Sequence, residues 1–213
     1  MTNQRTTNRR GRRSRGEILE IASRVMAERG YAATTMSVLS QESGLPKSAI
    51  YHHFGSKGGV LTAVMSRGAY DFFEAMRAAH VGGPDTQDPR ERMRWFLVRS
   101  AQVFLTRADF LRLHLILVMS TEAAETEIGA MIDQVRRDGR AYMNEMIAAS
   151  FEPLGSTVAQ RLADDLDYFG IAGFDGAFVA YQADPTRDLG ASMELLAEAI
   201  VALGEARLGS TEG

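Results

Sequence analysis

The chain has 213 residues, 45% of them apolar, and no cysteine, which describes a globular protein without a disulfide framework or a cysteine-based metal site. Its net charge of −3 is unevenly placed: residues 1–60 carry ten Arg and Lys against four Asp and Glu, and residues 61–213 carry fourteen against twenty-three. No apolar run approaches the roughly 18 residues of a membrane span, and the arginine-rich start lacks the apolar stretch of a secretory signal, so a cytoplasmic protein with no membrane partner is expected.

Residues 1–14 have no periodicity and almost no apolar content, which predicts a flexible basic arm. Ile18, Ile21, Ala22, Val25 and Met26 then form one helical stripe, and Gly30 supplies a residue to stop it. Thr35 suits the N-cap of a second helix ending at Gly44, and Pro46 suits the opening of a third that runs to about His53. Ser56 can cap a long fourth helix carrying Val60, Leu61, Val64, Met65, Phe72 and Met76.

Asp88-Pro89-Arg90-Glu91 reads as a capping box, and the helix it opens is apolar nearly all round, as in a helix surrounded by others. A short helix over about 109–119 follows. The next has the cleanest period in the chain, through Ile128, Met131, Ile132, Val135, Tyr142, Met143, Met146 and Ile147. Two more are predicted over about 157–182 and 186–207, separated by Asp184-Pro185. No run alternates as a strand does. The fold class expected is all-α with about nine helices.

The segment 15–61 has the parts of a helix-turn-helix, which sets its second helix in the major groove while its first crosses the backbone. Leu39, Leu45 and Ile50 can hold the two helices together, with Gly44 at the corner. Lys47, Ser48, Tyr51 and His52 supply polar groups to the outward face, and Lys57 offers a further point charge to phosphate. Arg12, Arg13 and Arg15, among the six arginines of residues 5–15, stand where an arm enters an adjacent minor groove. His52-His53 is not a metal pair, since adjacent helical side chains point about 100° apart. Asp164, Asp165 and Asp167 read as a solvated acidic face rather than a cation site, and no metal or cofactor is expected.

The stretch resembles the DNA-binding domain of the TetR family of transcriptional regulators. The matching residues are Ile18, Ala22, Met26, Gly30, Tyr31, Thr34, Thr35, Gly44, Leu45, Ile50, Tyr51, His53, Phe54, Ser56, Lys57 and Leu61. Ser40 and Ser43 depart from the usual Ala, Gly58 from the usual acid, and Pro46 from a frequent Ser. The resemblance implies a homodimer on a palindromic double-stranded operator, usually a repressor released when a small molecule binds the C-terminal part. It places Thr35, Lys47, Ser48, Tyr51, His52 and Lys57 at the DNA. It also divides the chain into a basic arm (1–14), a DNA-binding domain (15–61) and an effector-binding and dimerisation domain (62–213).

In the larger part, pockets for small molecules are lined by apolar and aromatic groups with few polar anchors. An apolar or aromatic effector is therefore expected, with Trp95, Arg99, Gln102, Phe110, His114, Met143, Phe174 and Phe178 as its candidate contacts. His114 reads more readily as a hydrogen-bonded core histidine. Gly170, Gly173 and Gly176 recur inside one helix, where each costs about 1 kcal/mol of helix propensity, so either another helix approaches closely or a cavity is kept open. The resemblance implies a dimer bundle of the last two helices, and Gly170, Gly173, Ala177, Tyr181, Met193, Leu196, Ile200 and Leu203 are the candidates for it. Two rival readings are a DNA binder without a small-molecule effector and an all-α enzyme with a basic tail. Against the enzyme, no nucleophile–base pair, metal-ligand spacing or phosphate-binding glycine loop stands out.

Overall fold

The structure, a computed structural model, describes residues 2–121 and 126–209, and of residues 2–13 and 126 the backbone alone. Among the described residues there are nine α-helices and no strand, as the periodicity predicts. They are α1 (Thr2–Ala33), α2 (Met36–Ser43), α3 (Lys47–Phe54), α4 (Lys57–Ala79), α5 (Pro89–Thr106), α6 (Ala108–Val118), α7 (Thr126–Phe151), α8 (Ser156–Ala183) and α9 (Leu189–Gly209). A short 3-10 turn, Glu152–Leu154, joins α7 to α8.

Several boundaries follow from single residues. Gly30 interrupts the helical run of α1 with φ 78 and ψ 159, a left-handed value that a side chain would oppose. Thr35 caps α2 by accepting from the Val38 N–H at 3.2 Å. Ser56 caps α4 through the Gly59 N–H at 2.9 Å. Asp88 caps α5 through the Arg90 N–H, while Glu91 accepts from the Thr86 hydroxyl instead of closing a capping box. Asp188 caps α9 through the Gly190 N–H at 2.8 Å, which starts that helix later than Thr186. Residues 2–14, expected as a flexible arm, continue α1 as helical backbone. Once 18–26 nucleates a helix, each further residue adds one hydrogen bond, and no proline stands in 2–14 to stop it.

The chain divides into two compact units, Met1–Phe72 with Arg107–Asp133, and Phe73–Thr106 with Gln134–Gly213. The expected boundary after residue 61 falls inside α4, which runs unbroken through it. In the first unit α1 packs against α2, α3 and α6. Its core is built from Ile18, Ala22, Val25 and Met26 of α1, Leu39, Ile50, Leu61 and Met65, with Leu113 and Leu117 of α6, all buried. Gly68 of α4 lies beneath the Phe110 ring of α6, and Phe72 packs against the same ring at 5.6 Å.

In the second unit α9 packs on both α5 and α8. Phe104 is its aromatic centre, edge-on to Phe174 at 4.3 Å and to Phe178 at 5.7 Å. The α8 glycines are explained by close approach at two of three positions. A Cβ at Gly170 would meet the Met143 side chain of α7, and one at Gly173 would meet Leu196 of α9. Gly176 faces open space. Ion pairs Arg136–Asp175 and Arg140–Asp167 run along the α7–α8 seam. Among the described residues no helix is long and apolar enough to cross a membrane.

Candidate nucleic-acid interface

The corner between α2 and α3 is set by Gly44, whose φ of 65 is left-handed and natural to glycine. Two serines that depart from the family pattern hold this corner. The Ser40 hydroxyl donates to the Leu45 carbonyl at 2.7 Å, and Ser43 donates to the Leu39 carbonyl at 2.6 Å while accepting from the Leu45 N–H. Alanine would leave the Leu45 carbonyl to solvent, so the substitution of Ser for Ala strengthens the turn. Glu42 is clamped by Arg24 and Arg29 of α1, which fixes α2 on its neighbour.

Leu39 and Ile50 are fully buried and hold α3 against α2. With Ile50 inward, the helical period turns Lys47, Ser48, Tyr51 and His52 outward together, and all four are exposed, Tyr51 at 49%. His53 and Phe54 are half-buried with their rings edge-on at 6.0 Å. Thr35 is exposed at the start of α2, where its hydroxyl is already committed to the cap. Arg15 is exposed and its guanidinium lies over the Phe54 ring at 5.2 Å. Arg12 and Arg13 lie outside the residues whose side chains are described.

Lys57 has a structural duty. Its ammonium lies over the Tyr31 ring at 4.1 Å and donates to the Ala32 carbonyl at 3.1 Å, tying the first turn of α4 to the end of α1. An ammonium has three donors, so a phosphate contact stays compatible with that tie.

Residues 18–64 match the family model for bacterial regulatory proteins, tetR family. The transcriptional repressor KstR2 of Mycobacterium tuberculosis is 35% identical over 86 residues, which cover 40% of this chain and 42% of the relative. The transcriptional activator FasR of Mycolicibacterium smegmatis is 36% identical over 92 residues, 41% of each chain. Over residues 18–64 the chain is similar to the DNA-binding domain of TetR-family regulators. The match spans less than half the length of these curated relatives. Beyond it the likeness is one of fold: a protein of Saccharomonospora viridis solved in complex with choline superposes with a TM-score of 0.66 at 22% identity, covering 91% of this chain and 96% of that one.

The candidate effector residues are distributed over both units. Phe110 and His114 belong to the first, with their rings stacked at 6.1 Å. The other six belong to the second. There Phe174 and Phe178 are core around Phe104, Met143 fills the space over Gly170, and Gln102 is exposed. Trp95 and Arg99 come together at a surface cleft, the guanidinium 4.1 Å from the indole.

Among the candidate dimer residues, Gly170, Met193, Leu196 and Ile200 are buried within the chain's own packing, and Gly173, Ala177, Tyr181 and Leu203 are half-buried. The faces left open on the same helices carry different residues. On α8 they are Phe169, Ala172, Gly176, Val179 and Ala183, and on α9 Ala191, Leu195 and Ala202, all exposed.

Periodicity alone did not reveal His80, the residue after α4. Its Nε2 lies 3.0 Å from the Phe96 carbonyl oxygen and must donate to it, leaving Nδ1 to accept from the Tyr142 hydroxyl at 2.9 Å. Burial lowers the His80 pKa from 6.5, the Phe96 carbonyl opposes this, and the Arg99 charge adds to the lowering. Burial pushes the Tyr142 hydroxyl up to about 12, so its proton stays in place. The folded state therefore holds His80 neutral, and the unfolded chain takes up a proton first as pH falls. The stabilisation is complete above the unfolded value of 6.5 and is lost as pH drops from there through the lowered folded value. Thermal melts across this interval should fall more steeply for the wild type than for His80→Gln. Parallel curves would contradict the assignment.

Proposed function

We propose that the protein is a homodimeric transcriptional regulator, acting as a repressor, that binds a palindromic operator and is released by a small-molecule effector. The observation that carries this reading is the outward face of α3. Lys47, Ser48, Tyr51 and His52 are exposed together on a short helix anchored by the buried Ile50, within the residues that match the family model. Such a face offers hydrogen bonds to phosphates and base edges and one positive charge. The charge split supports it, since the acidic body would be repelled by DNA while the basic front is attracted.

The dimer surface proposed is the open stripe of α8 and α9, Phe169, Ala172, Gly176, Val179, Ala191, Leu195 and Ala202. Small residues there let backbones approach closely, and the larger ones supply apolar area. The effector reading draws support from the choline complex of the structural neighbour, whose fold is shared. Release follows if the effector favours a dimer whose two α3 helices no longer match the roughly 34–36 Å between successive major grooves.

Lys47→Ala and Tyr51→Ala separate the two kinds of contact. A lysine on phosphate releases counterions, and a dimer carries two copies of Lys47, so its loss should weaken binding and reduce the log–log salt slope by about 1.8, roughly 0.9 per protomer. A tyrosine carries no charge, so its loss should weaken binding by about 10-fold with the slope unchanged. Gel-shift titrations at several salt concentrations read both quantities. Unchanged affinity in both variants would remove α3 from the DNA.

A further inference from the structure

We propose that a surface cleft between the loop 84–86 and α5 binds a small monocarboxylate with an alicyclic or aromatic body, its carboxylate paired with Arg99. This deepens the effector reading above and rests on it for any consequence at DNA.

The cleft has a volume of about 340 Å3, within the usual range of small-molecule sites. Pro84 and Val98 provide apolar wall, and Trp95 with Arg99 lines the same cleft. Arg99 is half-buried, yet among the described residues no carboxylate or carbonyl of the chain accepts from it. Its helix neighbours differ. Arg94 pairs with Glu194 at 2.6 Å, and Arg92 donates to the carbonyls of Ala149 and Thr86. A guanidinium has five donors in a fixed fork, and leaving it half-desolvated without an acceptor is unfavourable. The cation–π contact with the Trp95 ring restrains the guanidinium at the cleft, where its remaining donors can meet a carboxylate.

Charge at the rim narrows the class. Asp85, Glu91 and Arg94 also line the cleft, but Arg94 is already paired with Glu194, so the two acids disfavour a dianion such as phosphate more than a single carboxylate, which Arg99 neutralises. The cleft also has an inward connection. The Trp95 ring lies 5.7 Å from His80, which stacks on Tyr142 at 5.8 Å, so an occupant of the cleft adjoins the side chains that fix the end of α4.

Trp95 is the chain's one tryptophan, so its fluorescence reports the cleft directly. The full-length protein is titrated without DNA using cyclohexanecarboxylate, with cyclohexylammonium and inorganic phosphate as controls. The carboxylate should produce a saturable change in the millimolar range and the controls none. Arg99→Gln should weaken it by at least about 10-fold, as expected for a lost bidentate ion pair. Asp85→Asn, on the exposed loop, should tighten it about two- to threefold by removing a like charge. A non-saturable wild-type response, or equal affinity in Arg99→Gln with its helical signal intact, would overturn the site. Operator affinity is then measured separately with and without the carboxylate. Saturable binding that leaves operator affinity unchanged would overturn the link to DNA while the cleft stands.

Discussion

Glutamate at Leu195 together with glutamate at Val179 is expected to convert the protein from dimer to monomer. Leu195 is 67% exposed and Val179 48% exposed, although both sit among apolar neighbours on α8 and α9. In a twofold interface each substitution appears twice, so the pair would bury four carboxylates per dimer without partners. Several kcal/mol per buried unpaired charge exceeds what an interface of ordinary size supplies. Light scattering coupled to gel filtration should then read the 23.4 kDa of one chain, where the wild type reads twice that mass. Operator affinity should fall by about 100-fold or more, since each monomer engages one half-site and loses the effective concentration of the second. Met193→Glu provides the contrast. Met193 is fully buried within the chain, so that variant should lose helical signal rather than simply dissociate. A folded Met193→Glu monomer beside a dimeric Leu195/Val179 variant would reverse the assignment of faces.

The second large effect concerns adjacent glycines in the first turn of α4. A Cβ at Gly59 would run into the Phe54 carbonyl oxygen, the last of α3, which already accepts from the Ser56 N–H at 2.8 Å. That oxygen is backbone and cannot swing aside, so Gly59→Ala must displace α3 against α4. The expected cost is about 1–3 kcal/mol or more, with operator affinity falling alongside because α3 carries the proposed DNA face. At Gly58 the nearest atoms to a Cβ are Ser56 Oγ at 3.7 Å and Tyr31 Oη at 3.9 Å, which is ordinary contact. Gly58→Ala should therefore stabilise the helix, by up to about 1 kcal/mol. Thermal denaturation of the two variants side by side checks the pair. Equal behaviour would contradict the close approach at Gly59.

These glycines also show what the sequence could carry. Helix propensity gave both the same penalty, and only the packed junction separates them. The helices themselves were legible because each buried stripe repeats at the helical period, from Ile18–Met26 in α1 to Ile128–Ile147 in α7. The outward face of α3 was legible for a related reason: with Ile50 inward, Lys47, Ser48, Tyr51 and His52 turn outward together, and all four are exposed. The faces of α8 and α9 were harder. Both helices are apolar nearly all round, so periodicity marks an apolar stripe without saying which partner covers it. The larger aliphatics Met193, Leu196 and Ile200 went to the chain's own core, where they fill the most space, and the smaller residues were left outside. The effector set mixed residues of both units for the same reason, since Phe110 and Trp95 look alike in sequence and are assigned only by tertiary packing. The roles of Ser40 and Ser43 were hidden because a hydroxyl's acceptor is a neighbour in space.

Selecting bound duplexes from a random pool with the protein tests whether α3 of each protomer reads one half of a palindrome. The expected result is an inverted repeat whose half-sites lie about one helical turn or a multiple of it apart, with the enrichment lost in Lys47→Ala/Tyr51→Ala. A pool without an enriched sequence, or the same enrichment from the double variant, would contradict it.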